Sequence, residues 1–167
     1  LEGVAADAPK VKALVHSGVP VLGHLGIIKQ KIVRTGTIQI QGRTAASAAA
    51  AVTDAVALAN AGAFALILEC IPDQLGEIIT RSLEIPTIGI GAGPACDGQA
   101  LVTQDMLGMF KELSPRFLKV YLDLTQIIEA ALTQFRMEVE QGQFPGPEHT
   151  YKIEEEELGK LLTQLSN

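Results

Sequence analysis

Three side chains able to move a proton or hold a cation stand at the ends of apolar runs. Glu69 directly follows the apolar stretch 63–68, AFALIL, with Cys70, Ile71 and Pro72 beyond it. A carboxylate in that position loses part of its hydration. Desolvation makes it a stronger base, suited to taking a proton from a carbon acid near neutral pH. The plainer alternative is a strand-end Glu that caps a helix or pairs with an arginine. His24 lies near the end of the run 19–25, VPVLGHL, in the sequence GHLG. A lone histidine near a strand end is more often packed and hydrogen-bonded than a ligand, so both readings stand. Glu2 follows Leu1, which could close a strand, and its local sequence leaves its role open.

Active residues of α/β folds gather at the C-terminal ends of strands, and the elements around these three side chains suit that rule. Residues 8–17 read as a helix with Val11, Leu14 and Val15 on one face, ended by Gly18. Residues 19–25 read as a buried strand. Residues 26–43 form a long irregular stretch carrying Lys29, Lys31, Arg34 and Arg43, and loops of that length are often functional. Thr44 is a candidate N-cap for an Ala-rich helix running to Ala61, which Gly62 stops. Residues 63–69 are the clearest strand. Pro72 opens a helix at its first turn, running to about Leu83.

Residues 86–91, PTIGIG, give another strand, and residues 98–103 a short one. A new segment begins at residues 114–117, and residues 118–141 read as helical, in two pieces around Asp123. A Pro/Gly turn at 143–147 precedes a last acidic helix over 154–165. Strands alternating with helices predict a parallel sheet with helices outside it. The apolar strands predict that both sheet faces are covered. This pattern does not separate a barrel from an open sheet.

Other motifs narrow the chemistry. Gly89, Gly91 and Gly93 superficially resemble a dinucleotide loop, but Pro94, Cys96, Asp97 and a further strand follow where that motif requires a helix. Tight backbone packing at a barrel mouth accounts for them better. Cys70 and Cys96 lack zinc-site spacing, and no G-x-S-x-G elbow occurs. The two thiols are expected free, in a cytoplasmic protein. Among 167 residues, 47% are hydrophobic and 19% charged, which excludes disorder over most of the chain and allows a sizeable core. Aromatics make up only 4% and Trp is absent, so Ala, Val, Ile and Leu must build that core. The net charge is −6, without a basic stripe, which disfavours nucleic-acid binding. The charge-free stretch 55–68 is short for a membrane span and is broken by Asn60 and Gly62. The chain opens on Leu1 without an initiator Met and without a signal peptide, and is expected to be a fragment or to have further residues before it.

Several segments, in order and spacing, together resemble one family: Leu1-Glu2-Gly3, Val21-Leu22-Gly23-His24-Leu25-Gly26, Gln41-Gly42-Arg43, Leu68-Glu69-Cys70-Ile71-Pro72, Gly89-Ile90-Gly91-Ala92-Gly93 with Cys96-Asp97-Gly98-Gln99, and Phe144-Pro145-Gly146-Pro147-Glu148-His149-Thr150. The family is ketopantoate hydroxymethyltransferase, and the resemblance covers roughly residues 1–152, as the C-terminal part of the enzyme. It implies an α/β fold of the (β/α)8 TIM-barrel family, with this chain covering roughly the second half of the barrel; residues 153–167 lie outside the resemblance and read as an acidic C-terminal helix or tail. It further implies a decameric homo-oligomer. By resemblance, Glu69 matches the general base that removes the C3 proton of 3-methyl-2-oxobutanoate, His24 a substrate-pocket histidine, and Glu2 the acidic residue of a Mg2+ site. The resemblance further implies 5,10-methylenetetrahydrofolate as the one-carbon donor.

Three departures accompany the resemblance. The family's two Mg2+-binding aspartates, its substrate serine and the lysine just before LEG would lie upstream of Leu1. Ile27-Ile28-Lys29-Gln30 stands where a Leu-Thr-Pro-Gln-type stretch is usual, and Val4 replaces a second glycine. Two rival expectations remain: a Mg2+-dependent lyase or mutase of 2-oxo acids on the related barrel, and a barrel fragment without activity.

Overall fold

The computed structural model describes residues 1–27, 40–109 and 115–166. Contacts divide the chain into two compact units, Leu1–Leu122 and Asp123–Asn167. This division does not coincide with the expected boundary at 152/153.

In the first unit, helices and strands alternate as α1 (Ala8–His16), β1 (Leu22–Gly26), α2 (Ala45–Asn60), β2 (Ala65–Glu69), α3 (Asp73–Arg81), β3 (Thr87–Ile90), β4 (Gly98–Gln99) and the single turn α4 (Thr103–Met106). Local chemistry sets the helix starts. The Thr44 side chain accepts from the Ser47 backbone N–H at 3.2 Å, and Ser47 Oγ accepts from the Thr44 N–H at 3.0 Å. This reciprocal cap is worth about 1 kcal/mol and starts α2 at the predicted place. Pro72, expected inside the first turn of α3, instead stands as its N-cap with extended backbone.

The strands pair in parallel in the order β1-β2-β3-β4. Leu22 pairs with Ala65 and Gly26 with Glu69, while Glu69 also pairs with Ile90. Before β1, the chain at Glu2 adds a parallel bridge to His24, with the His24 N–H donating to the Leu1 carbonyl at 3.0 Å and the Gly3 N–H to the His24 carbonyl at 3.3 Å.

Side chains along a strand alternate between faces, and burial follows that alternation. On one face Leu25, Leu66 and Leu68 are buried and join Val11, Leu58, Leu75 and Ile79 in a core of small and branched aliphatic residues under the helices. On the other face Leu22, His24, Ile67, Glu69, Ile88 and Ile90 are only half-buried. The expectation that both faces are covered therefore fails among the described residues. The helices pack on one side, and an apolar strand run in the sequence does not say whether its second face has a partner.

Other differences are smaller. The predicted strand at 98–103 is reduced to Gly98–Gln99, because α4 takes Thr103. Residues 118–122 are not helical. The Tyr121 N–H is drawn to the Met106 carbonyl at 2.9 Å, which removes it from an intrahelical bond. Most of the predicted loop 26–43 lies outside the described residues, as does Ser114 at the start of the expected segment 114–117.

The link between β3 and β4 is pinned by a polar contact at a buried position. Thr87 is fully buried, and its N–H and hydroxyl donate to Asp97 Oδ2 at 2.8 and 3.1 Å, while the hydroxyl also meets Thr80 Oγ1 at 2.8 Å.

The second unit holds α5 (Thr125–Glu140) and α6 (Glu155–Leu165). Asp123 Oδ1 accepts from the Thr125 N–H at 3.1 Å at the start of α5. Phe144 sits 5.4 Å from Phe135 and 5.1 Å from His149, ring centre to ring centre, and His149 Nδ1 accepts from the Gly146 N–H. Among the described residues no helix is long and apolar enough to cross a membrane.

The Thr87 N–H, and then its hydroxyl, hold the Asp97 carboxyl below the usual carboxylate range. The unfolded chain therefore binds this proton more readily than the folded one, so the contact stabilises the fold above the ordinary Asp pKa of about 3.9 and is lost as pH falls through the lower folded value. Asp97→Asn is expected to melt below the parent at pH 7 and to converge with it in acid. Thermal unfolding monitored by circular dichroism across pH 2–7 (roughly, the span of the carboxylate titration) checks this. Parallel melting curves at every pH would deny the contact a role.

Candidate functional site

Register and pleat together decide which side chains meet. His24 pairs with Glu2 on one side and with Ile67 on the other. Glu69 lies two residues beyond Ile67 and so shares its face. Glu2, His24 and Glu69 thus project from three adjacent parallel segments on the half-buried face, at the C-terminal edge. His24 Nε2 lies 2.9 Å from Glu69 Oε2, and His24 Nδ1 lies 3.9 Å from Glu2 Oε1. Their side chains are 15% (His24), 19% (Glu69) and 23% (Glu2) exposed, which leaves a route for a small ligand while limiting bulk water.

The 2.9 Å approach is short enough for a charge-assisted bond, yet Nε2 makes no aligned hydrogen bond, and Glu2 Oε2 is buried without a partner. We read the His24–Glu69 pair as a close approach rather than a formed hydrogen bond. Two unsatisfied polar atoms at one buried spot are costly, and such atoms are normally matched by a ligand, ion or water. All three residues singled out in the sequence are brought together. Glu69 contacts a histidine, rather than the arginine or helix cap of the plainer reading.

The backbone at this edge is fixed from both sides. The Cys70 N–H donates to the Ile90 carbonyl at 2.9 Å, and the Ile27 N–H donates to the Glu69 carbonyl at 3.1 Å. Gly26 has φ +110°, and a Cβ there would stand 1.9 Å from the Glu69 carbonyl oxygen. Only glycine permits that approach. Cys70, at φ +53°, turns the chain out of β2 in the left-handed region, at a cost of about 1 kcal/mol or more. Burial, and then the neighbouring Glu69 charge, push its thiol up to about 11.

Beyond this edge the structure reveals a feature that the sequence did not mark. A cavity of about 780 Å3 is lined by residues including Arg43, Cys70, Asp73, Gly91, Arg116 and Phe117. Its wall starts one residue past Glu69 and one past Ile90. A Cβ on Gly91 would come within 2.4 Å of the Phe117 ring, so this glycine seats an aromatic side chain. The QGR segment was legible as part of a motif; Arg116 and Phe117 gave no periodic or spacing signal.

Among the described residues no group of three or more His, Cys, Asp or Glu side chains is disposed to hold a metal ion. Glu2 alone, with its unpartnered buried oxygen, fits as one hard-oxygen donor for a cation such as Mg2+.

The profile of the family described as ketopantoate hydroxymethyltransferase matches residues 1–147. The chain belongs to the ketopantoate hydroxymethyltransferase family. It is 47% identical over 165 residues to the 3-methyl-2-oxobutanoate hydroxymethyltransferase of Nitratidesulfovibrio vulgaris strain DP4, covering 99% of this chain and 54% of that protein. The enzyme of the same name from Moorella thermoacetica is 50% identical over 152 residues, covering 91% of this chain and 56% of the relative. That of Syntrophobacter fumaroxidans is 48% identical over 161 residues, covering 96% and 57%. The chain spans about half the length of the curated relatives it matches, aligned with their C-terminal part. Four parallel strands with helices on one face are an α/β arrangement consistent with part of the (β/α)8 barrel of the hydroxymethyltransferase family.

Two outcomes test this geometry. Gly26→Ala forces the Glu69 carbonyl away and is expected to destabilise by roughly 2–4 kcal/mol in denaturant titration, the range for backbone collisions in a packed site. A loss under about 0.5 kcal/mol, the scale of a neutral surface change, would mean that the close approach does not matter. Iodoacetamide labelling of Cys70 at pH 8, followed by peptide mass spectrometry, should run about a hundredfold slower than for an unhindered thiol, because little thiolate is present. Labelling at the ordinary rate would contradict the raised pKa.

Proposed function

We propose that this chain carries the enolising centre of a hydroxymethyltransferase that moves a one-carbon unit from 5,10-methylenetetrahydrofolate to 3-methyl-2-oxobutanoate, giving 2-dehydropantoate on the route to pantothenate. The observation that carries the reading is the meeting of Glu69, His24 and Glu2 on one half-buried face. Membership of the family supports it.

In this reading Glu69 takes the proton from C3 of the oxo acid, and the bonding pair moves to the adjacent carbonyl to give an enolate. A carbon acid flanked by a ketone is reached by a carboxylate only when the base is aimed and partly dehydrated. The Ile27 and Cys70 backbone bonds aim Glu69, and the aliphatic neighbours Ile67 and Ile90 limit water. His24, 2.9 Å away, stands where it can share the proton that Glu69 acquires or contact the substrate's oxygens. Glu2 would contribute one ligand to Mg2+, with the remaining ligands coming from outside the described residues. When bound, that ion polarises the oxo acid as a Lewis acid. Water adds to the methylene carbon of the donor, whose two C–N bonds break to release tetrahydrofolate and formaldehyde; the enolate carbon then bonds the formaldehyde carbon, and its oxygen takes up the proton that Glu69 had accepted.

The same reading carries a cytoplasmic location and a homo-oligomer, a decamer by family resemblance. Exposed Ile127, Leu132 and Phe135 on α5 support an association surface. The rival lyase or mutase has no observation in its favour here.

The test isolates proton abstraction. The protein, in its complete natural form with Mg2+, should exchange the C3 proton of 3-methyl-2-oxobutanoate in D2O, read by NMR without any folate. EDTA should suppress the exchange. Glu69→Gln should lower it by about a thousandfold, the middle of the range for loss of a general base, with the melting temperature nearly unchanged. Near-parent exchange in that variant would remove Glu69 from the role.

A further inference from the structure

We propose that Asp54 on α2 is a positioning residue for the Glu2 carboxylate, acting through the backbone of residues 4 and 5 with Asp7 as a local partner. The proposal rests on the function proposed above and adds what holds its cation ligand in place. Three observations carry it.

The first is how little the Glu2 side chain is held by contacts of its own. Glu2 Oε2 is buried without a partner, and Oε1 stands 3.9 Å from His24 Nδ1, beyond hydrogen-bond reach. The backbone on either side therefore decides where the carboxylate stands. On the strand side, the His24 N–H donates to the Leu1 carbonyl and the Gly3 N–H to the His24 carbonyl. These bonds set the register of Glu2 along β1.

The second is what anchors the chain directly after them. The Val4 N–H donates to Asp7 Oδ2 at 3.1 Å, and the Ala5 N–H donates to Asp54 Oδ1 at 2.7 Å. Both N–H groups stand at the start of the 3-10 turn Ala5–Asp7, where the backbone offers them no acceptor. Asp7 caps locally, and Lys10 Nζ holds its other oxygen at 2.7 Å. Asp54 lies 49 residues beyond Ala5, on a helix packed against the sheet. Its bond ties the Glu2 segment to the core layer, and N–H groups bonded to a carboxylate form the shorter, stronger class of hydrogen bond.

The third is the place of Asp54 itself. It is the one charged residue in α2, residues 45–60. It stands one turn before the fully buried Leu58, so it shares the sheet-facing side of the helix and is half-buried there. Among the described residues it pairs with no Lys, Arg or His side chain. With Gly3, Val4, Leu25 and Gly26 it lines a small cavity of about 150 Å3 beside the end of β1. A partly dehydrated carboxylate is costly unless a donor meets it, and the donor it meets belongs to the segment that carries Glu2.

Mn2+, a paramagnetic stand-in for Mg2+, titrated into the protein in its complete natural form and read by electron paramagnetic resonance, tests this without turnover. Asp54→Ala should weaken Mn2+ binding about tenfold, the lower end of the range for loss of a group that orients a metal ligand. Asp54→Asn keeps an oxygen acceptor on the same stem and should recover most of that loss. Asp7→Ala frees the Val4 N–H and should also weaken binding, a second reading of the same clamp that stands if Asp54→Ala does not fold. Thr44→Ala removes the cap of the same helix; it should lower the melting temperature and leave Mn2+ binding unchanged. Exchange of the oxo-acid proton in Asp54→Ala should fall at limiting Mg2+ and return close to the parent rate at saturating Mg2+, because Glu69 and His24 are untouched. If the parent exchanges the proton and binds Mn2+, and Asp54→Ala and Asp7→Ala bind Mn2+ as tightly as the parent, the positioning role is wrong and the function stands. If Thr44→Ala weakens binding as much as Asp54→Ala does, Asp54 only supports the fold and the proposal is overturned. If the parent neither exchanges the proton nor binds Mn2+, both fall.

Discussion

The site depends on the parallel register between β1 and β2. Pairing His24 with Ile67 places Glu69 two residues further along the same face, and pairing Glu2 with His24 adds the third group. Side chains alternate at every residue, so a slip of one position would turn Glu69 toward the helices and Leu68 toward the open face. Leu66 and Leu68 are fully buried under the helices, and each contributes about 1.5–3 kcal/mol by staying there. The same slip would place a carboxylate in that core, which costs several kcal/mol more. The aliphatic packing on one face therefore determines which polar groups meet on the other. The meeting of these side chains needs no strong bond of its own, and the loose His24–Glu69 approach is consistent with that.

The strand ends add a second constraint. Gly26 and Cys70 both have positive φ, and each lies where one strand must pass close to the carbonyls of the next. This geometry fixes the backbone of Glu69 through two neighbours. It also turns the chain outward, so that Cys70 and Gly91, one step later, line the cavity. One edge thereby serves two purposes: carboxylates and an imidazole on the inner face, guanidinium groups and an aromatic ring around the cavity.

Much of this was legible in the sequence. The apolar runs, Thr44, Gly62 and Pro72 mark strand and helix ends, because caps and breakers act locally, and Glu69 stands out as a carboxylate at a strand end. That His24 and Glu69 touch was not legible, since register is set by packing between distant segments. Nor was the half-exposed inner face, because Ile67 and Ile88 look alike in sequence whether or not a second layer covers them. Residues 118–122 read as helical because their composition suits a helix, and a single tertiary bond from Tyr121 to Met106 overrides that preference. Arg116 and Phe117 belong to an irregular segment and gave no periodic signal.

The half-exposed inner face bears on where the chemistry can run. Proton abstraction from carbon by a carboxylate is favoured when water is excluded and local charges act through a low dielectric. In the first unit the helices seal only the opposite face, and Leu22, Ile67, Ile88 and Ile90 stand half-exposed around the polar cluster. The proposed reaction needs that face covered, and Glu2 needs further oxygen donors beside it before a magnesium ion is held. Both needs would be met by one arrangement, a closed barrel in which a further wall would pack against these aliphatic residues and would bring oxygen donors to the open side of Glu2. A lyase acting on a single small oxo acid would require that closure too.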